Sequence, residues 1–316
     1  MVFDFIDGGA QDETTLRANR ADFGAWELLP KMLVDVSRRS LATTVLGRAI
    51  SLPVMIAPTG MSGLATPRGE LHAARAAQAA GTIYCLSTPA TCSIEEVAAA
   101  TGEPFWFQLY VMRDRGATRA MVERAAAAKC GALVLTIDLA LQGLRERDAY
   151  NGFTVPPRVT ARNLLEVLAR PRWIADMVRG PRLTFANFTD ATSAGGGFIN
   201  LGKHINAQFD QSVTWKGGGW LRSVFPGPLV LKGVLTARDA QLAAAHGAAA
   251  VIVSTHGARQ LDHVPSSIRA LPEVVEAVGD RVEVYCDSGV RRGTDIAKAL
   301  ALGARAVLVG RPILYG

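Results

Sequence analysis

From Pro53 onward, the chain alternates between short apolar runs and alanine-rich stretches of helical length. Apolar runs of this kind, ended by polar residues, glycine or proline, are typical of strands buried on both faces of a parallel sheet. We predict eight strands, at Pro53–Pro58, Thr82–Ser87, Phe105–Tyr110, Ala132–Asp138, Pro228–Gly233, Ala249–Thr255, Glu283–Asp287 and Ala306–Gly310. We predict seven helices between them, at Gly69–Ala80, Ser93–Ala100, Ala117–Lys129, Trp215–Ser223, Thr236–His246, Ser267–Val278 and Thr294–Leu302.

Eight strands that alternate with helices predict an α/β fold of the (β/α)8 TIM-barrel type, in one domain over residues 1–316. A doubly wound sheet is the competing architecture, but no G-x-G-x-x-G pattern follows the first strand as a dinucleotide site would need. Residues 141–222 form a long insertion after the fourth strand. We expect residues 1–39 to be a lid or plug. The sequence stops at Gly316, just past the eighth strand, so we expect the C-terminal barrel helix to be absent.

Composition narrows the classes of ligand. The 34 lysines and arginines exceed the 28 acidic residues by a net charge of +6, which suits anionic ligands or an anionic membrane surface but is too diffuse to indicate nucleic acid. The four cysteines show neither a CxxC pair nor zinc spacing, so we predict no metal site and a reducing, cytoplasmic setting. No signal peptide and no apolar run of about 18 residues is present, so the sequence predicts neither secretion nor a membrane span.

Polar residues or glycines fall at the carboxyl end of every predicted strand. In chain order they are Pro58-Thr59-Gly60, Ser87, Gln108 with Tyr110, Thr136 with Asp138, Lys232, Ser254 with His256, Asp287, and Gly310 with Arg311. Any one of them alone is more often structural than functional. Because the carboxyl ends of barrel strands share one rim, the set together indicates a single functional mouth.

His256 and Arg259 follow the sixth strand and suggest chemistry beside a carboxylate. A histidine side chain titrates near neutral pH and can act as a base. Arginine offers a planar fork that grips a carboxylate through two hydrogen bonds. The alternative is a solvated loop with an incidental histidine.

Three more charged residues suit the same mouth. Asp138 could orient the imidazole of His256, or it could be a helix-cap carboxylate. Arg145 could be a second carboxylate clamp, or it could form a surface salt bridge with a neighbouring acid. Lys232 projects from an apolar strand, where it could hold developing negative charge or form the Schiff base of an aldolase-like or isomerase-like barrel.

Asp287-Ser288-Gly289-Val290-Arg291-Arg292-Gly293 and Val309-Gly310-Arg311 place backbone amides and arginines at the ends of the last two strands. This is the usual phosphate site of such barrels, so a phosphate-bearing cofactor follows.

The segment from Val159 to Gly180 mixes leucines and Trp173 with arginines, and Pro171 divides it into two pieces. An apolar face bordered by arginines is typical of a helix that lies on a membrane surface. Packing of the same segment against the barrel is an equal alternative.

These motifs resemble the FMN-dependent 2-hydroxy acid dehydrogenase and oxidase family, which includes glycolate oxidase, flavin-type lactate dehydrogenases and mandelate dehydrogenase. The resemblance runs from Phe3 to the last residue, and it is strongest at Phe107–Tyr110, Leu231–Val234, Ser254–Asp262, Asp287–Gly293 and Lys298–Ala304. Within the family, Leu33–Leu41, Trp106–Val111 and Leu144–Asp148 look most similar to membrane-associated (S)-mandelate dehydrogenase.

The resemblance implies FMN as cofactor and a small (S)-2-hydroxy acid as substrate. It assigns His256 as the base with Asp138 behind it, Arg145 and Arg259 to the substrate carboxylate, and Tyr110 to the substrate hydroxyl. On FMN it assigns Lys232 with Ser254, Gln108, Thr136, Ser87 and the Pro58, Thr59 and Gly60 backbone to the flavin. It assigns Asp287, Gly289, Arg291, Gly310 and Arg311 to the phosphate. By analogy, we also expect a homotetramer, on the inner face of the cytoplasmic membrane if the 159–180 segment binds lipid.

Departures from the family pattern refine the expected activity. Phe5 stands where most members have a substrate-binding tyrosine, Thr255 replaces the usual asparagine, and Pro89 replaces the tryptophan of the glycolate oxidases. Together they predict a roomier, more apolar pocket. Gly60 stands where the oxidases tend to have alanine, which favours a quinone-type electron acceptor over oxygen.

Compared with the family, the chain also lacks an N-terminal helix and the closing C-terminal helix. We therefore expect truncation at both ends, and a truncated, inactive homologue stays an alternative function.

Overall fold

The structure is a computed structural model that describes residues 2–152, 160–188, 208–215 and 219–316. Its strands in chain order are β1 Thr43–Val45, β2 Arg48–Ile50, β3 Val54–Ile56, β4 Cys85–Leu86, β5 Trp106–Leu109, β6 Ala132–Thr136, β7 Leu229–Val234, β8 Ala250–Val253, β9 Glu283–Cys286 and β10 Ala306–Val309. Strands β3 to β10 form one eight-stranded parallel sheet. A parallel bridge between Ile56 and Tyr84 joins its two edges. The predicted (β/α)8 barrel is therefore confirmed.

The helices alternate with these strands. In chain order they are α1 Val2–Asp7, α2 Thr14–Ala21, α3 Gly69–Ala79, α4 Ile94–Thr101, α5 Arg115–Ala127, α6 Glu146–Tyr150, α7 Ala161–Leu168, α8 Pro171–Arg179, α9 Gly219–Val224, α10 Ala237–Ala245, α11 Ser267–Val278, α12 Gly293–Ala301 and α13 Arg311–Tyr315. Short 3-10 turns cover Asp22–Ala25, Ser62–Leu64, His256–Ala258 and Gly279–Arg281. The predicted helix at Trp215–Ser223 overlaps α9, and residues 216–218 within it lie outside the described residues. After β10 comes the five-residue helix α13. This is the position for which we expected the C-terminal barrel helix to be absent.

Local capping sets several helix ends. The hydroxyl of Ser93 accepts the Glu96 amide while the Glu96 carboxylate accepts the Ser93 amide, which is a capping box at the start of α4. Asp114 accepts two amides at the start of α5, so that helix begins two residues before its predicted start. A serine and an aspartate side chain thus fix where these two helices begin.

Alternate residues of the barrel strands belong to two different buried sets. One set lines the inside of the barrel and includes Met55, Cys85, Trp106, Val134, Val230, Ile252, Tyr285 and Leu308. The other packs on the surrounding helices and includes Ile56, Leu86, Phe107, Leu133, Leu231, Val251, Cys286 and Val307. This alternation follows from the two-residue period of a strand.

The two ends of the barrel are closed differently. Val45 and Ile50 of the β1–β2 hairpin join the inner set, and the amide of Leu46 donates to the Glu283 carboxylate at the start of β9. The hairpin therefore covers the amino-terminal end of the strands. At the carboxyl end, the position two residues after the last inner apolar residue of each barrel strand is polar or glycine, and this rim carries the site.

The N-terminal segment lies on that rim and adds no strand to the barrel, as predicted. Asp262, in the loop after β8, accepts hydrogen bonds from the amides of Thr14 and Thr15 at the start of α2, at 3.1 and 2.7 Å. Two arginines of the rim donate to backbone carbonyls of residues 5–8. The segment is thus tied to the mouth by bonds that span more than two hundred residues.

The insertion between β6 and β7 carries α6 to α9. Helices α7 and α8 expose Leu164, Leu165, Leu168 and Val178, while the indole of Trp173 donates to the carbonyl of Leu64 at 3.1 Å. The segment predicted to be amphipathic therefore contacts the barrel on one side and presents leucines on another. Across the residues that the structure describes, no helix has the length and apolar character needed to cross a membrane.

Candidate active site

The side chain of His256 lies between a carboxylate and a phenol. Its Nδ1 is 2.7 Å from Oδ1 of Asp138, and its Nε2 is 3.2 Å from the hydroxyl of Tyr110. Because an ionised carboxylate only accepts hydrogen bonds, Nδ1 carries the proton in this pairing. The lone pair of a neutral ring is then on Nε2. The arrangement places a proton acceptor at the mouth of the barrel.

The charge of Asp138 is stabilised by its neighbours. Burial opposes ionisation, but His256 and the Lys232 ammonium outweigh it and hold the pKa of Asp138 below its ordinary value. Tyr110 has the opposite behaviour. Burial and the nearby Asp138 carboxylate raise the pKa of Tyr110, so its hydroxyl stays protonated and can donate to Nε2.

Lys232 is almost completely buried at the end of β7. Its Nζ donates to Oγ of Ser254 at 2.8 Å and lies 3.2 Å from Oδ2 of Asp287. Burial disfavours the ammonium, but Asp287 and Asp138 more than compensate and raise the pKa of Lys232. A lysine held as a cation is a poor Schiff-base nucleophile and a good partner for negative charge, which favours the role of holding developing negative charge over that of forming a Schiff base.

Arg145 and Arg259 meet on the ring of Phe5. Their guanidinium carbons lie 5.5 and 4.9 Å from the ring centroid, within the range of cation–π contacts. Nε of Arg145 also binds Asp148 at 2.8 Å, so the salt bridge that we considered as an alternative does form, but in a largely buried place. Burial, together with the charges of Arg145 and Arg311, lowers the pKa of Arg259 to about 9. Such a concentration of positive charge favours an anion.

Two buried polar atoms point to a ligand with hydrogen-bonding edges. The side-chain oxygen of Gln108 accepts from Ser87 Oγ and from the Thr88 amide at 2.9 and 3.2 Å, which orients its Nε2. Within the described residues, neither Nε2 of Gln108 nor Oγ1 of Thr136 has a hydrogen-bond partner. Buried polar groups are nearly always satisfied, so an acceptor and a further polar atom belong at this edge. Both side chains are among those that the family resemblance assigns to the flavin, and they fit that group, whose ring system has hydrogen-bonding edges.

The glycines of the rim allow close approach. A Cβ on Gly60 would lie 2.9 Å from Cγ of Pro89, and one on Gly310 would lie 3.3 Å from Cγ2 of Thr59. Gly289 has a φ of +93°, and a Cβ there would collide with the backbone of Asn19. Neighbouring protein atoms therefore exclude a side chain at Gly60 and Gly289 and would crowd one at Gly310.

The predicted phosphate arginines already have protein partners. Arg311 donates to the carbonyls of Ile6, Gly257 and Gly8 at 2.9, 2.9 and 2.8 Å. Arg291 donates to the carbonyl of Val290 at 2.8 Å. Burial lowers the pKa of Arg311, and the charge of Arg291 adds to the effect, so the two cations are close in space. We thus find Arg311 in a structural role that the sequence did not predict.

The six predicted catalytic side chains do converge. His256 binds Asp138 and Tyr110, and Ser254 connects its backbone to Lys232. The charges of Arg145 and Arg259 both act on Tyr110. All six are thus linked at one end of the barrel.

Sequence reasoning missed two residues. The Thr88 hydroxyl donates to the carbonyl of Gln108 at 2.6 Å and accepts the amide of Tyr110 at 3.1 Å, which fixes the end of β5. Its position directly after Ser87 was an available signal. Ser288 lies in a quoted motif but had no role, and its hydroxyl accepts the amide of Gly257 at 3.0 Å.

Comparison with known proteins agrees with this geometry. The model of the family described as FMN-dependent dehydrogenase matches residues 1–316. An L-lactate dehydrogenase from Caulobacter sp. (strain K31) is 46% identical over 315 residues, which cover 99% of this chain and 83% of that protein. Glycolate oxidase 3 from Arabidopsis thaliana is 46% identical over 315 residues, covering 100% of this chain and 80% of its own. The crystal structure of the monotopic membrane protein (S)-mandelate dehydrogenase has a TM-score of 0.94 and 43% identity, covering 99% of this chain and 83% of that one.

Proposed function

Because this chain belongs to the FMN-dependent dehydrogenase family, we propose that it oxidises an (S)-2-hydroxy acid of the lactate or mandelate type to the 2-oxo acid, with His256 as the base. Its chemistry as an FMN-dependent oxidoreductase acting on a CH–OH group follows from family membership. The observation that carries the finer proposal is the His256 ring, held between Asp138 and Tyr110 beside two arginines.

The rim has candidate partners for both the flavin ring and the phosphate of FMN. We assign Lys232 with Ser254, Gln108, Thr136, Ser87 and the Pro58–Gly60 backbone to the flavin. We assign Asp287, Gly289, Arg291, Gly310 and Arg311 to the phosphate. Three of the five N–H groups of Arg311 donate to carbonyl oxygens. We assign the other two as donors to the phosphate. When bound, FMN supplies the acceptor for the two electrons of the substrate C–H bond.

The substrate is proposed to bind by its carboxylate between Arg145 and Arg259. This puts the α-carbon and its hydroxyl beside Nε2 of His256 and the hydroxyl of Tyr110. His256 then removes either the α-proton or the hydroxyl proton, and both routes need a base at this position. Asp138 stabilises the imidazolium that forms, since its carboxylate is already ionised and bound to Nδ1.

The electron acceptor is proposed to be a quinone-type compound. The support is Gly60, which stands where the oxidases tend to have alanine and which packs against Pro89 with no room for a methyl group. The competing acceptor is oxygen, and its support is the similarity to glycolate oxidases.

The decisive experiment is a panel of lactate, mandelate and glycolate, under argon, with and without a soluble quinone analogue. We expect the flavin absorbance to bleach with at least one substrate and to recover with the quinone. The variant His256→Gln should keep the flavin and fail to bleach. A chain that retains FMN and bleaches with none of these acids would refute the proposal. A chain that cannot retain FMN would instead support the inactive-homologue alternative.

A peripheral membrane contact is proposed for α7 and α8, at the inner face of the cytoplasmic membrane. The support is the exposure of Leu164, Leu165 and Leu168 next to several arginines, an arrangement typical of interfacial helices. Replacing Leu165 and Leu168 with glutamate should abolish co-sedimentation with anionic vesicles and leave turnover with a soluble acceptor intact. Unchanged co-sedimentation would refute it.

A homotetramer is proposed by analogy with the family. Light scattering of the purified protein tests this assembly directly, and a monomer at micromolar concentration would refute it.

A further inference from the structure

Three consecutive residues after β8 have a left-handed backbone. The φ angles of His256, Gly257 and Ala258 are 56°, 63° and 60°. This region disfavours residues with a Cβ, because the Cβ approaches the following carbonyl oxygen. Two of the three residues are not glycine, so the turn needs outside contacts to persist. It joins the proposed base directly to Arg259 of the proposed carboxylate clamp.

Each of the three amides donates to a different side-chain hydroxyl. The amide of His256 donates to Oγ of Ser254 at 3.0 Å. The amide of Gly257 donates to Oγ of Ser288 at 3.0 Å, and the amide of Ala258 donates to Oγ1 of Thr255 at 3.2 Å. The Ala258 amide also donates to the carbonyl of Thr255 at 2.9 Å. Together these bonds hold the amides in the directions that the left-handed turn gives them.

The three hydroxyls are themselves anchored to separate parts of the fold. Lys232 donates to Ser254 at 2.8 Å, Ser288 donates to Asp287 at 2.7 Å, and Nδ2 of Asn19 donates to Thr255 at 2.8 Å. The anchors come from β7, from the end of β9 and from α2. The turn is therefore held from three directions by groups that leave the His256 ring untouched.

We propose that the hydroxyls of Ser254, Thr255 and Ser288 are positioning groups that hold the His256–Ala258 turn left-handed and so aim the imidazole of His256. This inference rests on the proposed function only in taking His256 as the base. Loss of the Ser254 or Ser288 hydroxyl leaves a half-buried amide without its partner. Loss of the Thr255 hydroxyl removes the link between the Ala258 amide and Asn19, although that amide keeps its bond to the carbonyl of Thr255. In each case the turn then relaxes. Since the base acts in the transition state, we expect kcat to fall while KM changes little.

Ser288 gives the cleanest test because its own φ is 71°, a value that glycine adopts without strain. Ser288→Gly therefore removes the hydroxyl without penalising the backbone. In the FMN-loaded enzyme we expect kcat to fall about tenfold, against the roughly 100-fold loss that a 1 Å misplacement of reacting groups can cause. KM and flavin content should stay within error of the wild-type values. Tm should be unchanged or higher. Lys129→Gly is the matched control, an exposed left-handed residue after α5, and it should leave kcat unchanged.

Thr255 gives a second test with a rescue. Thr255→Val keeps the shape and removes the hydroxyl, so it should lower kcat, whereas Thr255→Ser keeps the hydroxyl and should restore most of it. Hydrogen exchange of the peptide spanning 254–262 in the FMN-loaded protein should become faster in Ser288→Gly and Thr255→Val, and not in Thr255→Ser or Lys129→Gly.

The kcat values and the hydrogen exchange of these variants together decide whether the hydroxyls hold the turn. Wild-type kcat and exchange in both Ser288→Gly and Thr255→Val would overturn the inference. A fall in kcat with unchanged exchange at 254–262 would also overturn it, because the hydroxyls would then act by another route. If the wild-type chain oxidises no 2-hydroxy acid, the proposed function fails, yet the exchange measurement still decides whether the hydroxyls hold the turn.

Discussion

The ammonium of Lys232 lies 3.2 Å from the carboxylate of Asp287, and both side chains are buried at the carboxyl end of the barrel. Asp138 adds a second negative charge nearby, which contributes to the raised pKa of Lys232. The Lys232 ammonium thus interacts with the carboxylates of both Asp287 and Asp138. The site has its positive charge in place before any ligand arrives.

Removing Lys232 should therefore destabilise the protein more than removing Asp287. Lys232→Met leaves the buried Asp287 without its cation and removes one of the groups that stabilise the charge of Asp138. Breaking a buried pair in this way costs about 3–5 kcal/mol. Asp287→Asn should cost less because Asp138 still faces the ammonium. Urea unfolding without added FMN measures both values, with the m-value as a check on two-state behaviour.

The double variant supplies the control for this prediction. With both Lys232→Met and Asp287→Asn, the loss in unfolding free energy should be smaller than the sum of the single losses, because contacting partners are not additive. Strict additivity would show that the two groups do not interact in solution.

Asp138→Asn should impair catalysis and change the pH dependence of stability. An amide cannot stabilise the imidazolium as a carboxylate does, and we expect kcat to fall on the order of 10²–10⁴-fold, by analogy with the carboxylate behind a catalytic histidine elsewhere. KM should change much less.

The pH signature follows from the lowered pKa of Asp138. A carboxylate with a depressed native pKa contributes stability above its ordinary value of 3.8, and this contribution is lost as the pH falls through the native value. The difference in unfolding free energy between wild type and Asp138→Asn should thus be full at pH 6–7 and vanish in strong acid. Asp280→Asn, at an exposed position, is the control and should show no such trend. A difference that does not depend on pH would contradict the assignment.

Gly60→Ala should be poorly tolerated because of Pro89. The added Cβ would lie 2.9 Å from Cγ of Pro89, closer than carbon atoms approach without movement. Overpacking of this kind costs about 1–3 kcal/mol. Pro89→Ala removes that Cγ, so the double variant should recover stability by at least about 0.5 kcal/mol relative to additivity. Thermal unfolding measures the cycle, and a fully additive result would mean that the two residues do not contact.

The sequence was informative where function depends on strand register. Side chains two residues apart lie on the same face of a strand. Because Val230 and Ile252 line the inside of the barrel, Lys232 and Ser254, two residues further along, lie on the same inner face at the rim. That local rule predicted the polar rim correctly. It needs no knowledge of what the strand touches.

The sequence was uninformative where function depends on contacts between distant segments. Nothing near Phe5 in the sequence indicates that two guanidinium groups lie on its ring, and nothing near Arg311 indicates that it binds the carbonyls of Ile6 and Gly8. The left-handed turn at His256 was also unpredicted. Its non-glycine residues do not favour that backbone by themselves, and the hydroxyls that hold it include Ser288, which comes 31 residues after Gly257.

Because Arg145, Arg259 and Arg311 lie close together, the site without FMN should bind a small dicarboxylate in preference to a neutral molecule of the same shape. Burial and repulsion from the neighbouring arginines lower the pKa of Arg259. An anion bound between these cations therefore offsets a repulsion that is already present in the folded protein. Oxalate should raise Tm, by an amount equivalent to about 2.7 kcal/mol when its concentration is 100 times its Kd.

Oxamide is the neutral isostere of oxalate and should have no such effect at the same ionic strength. Arg259→Met should remove the oxalate shift almost completely, whereas Phe5→Leu should reduce it in part, because it removes only the ring that holds the two guanidinium groups together. Equal shifts with oxalate and oxamide would mean that charge does not drive binding. An undiminished shift in Arg259→Met would place the carboxylate elsewhere on the barrel rim.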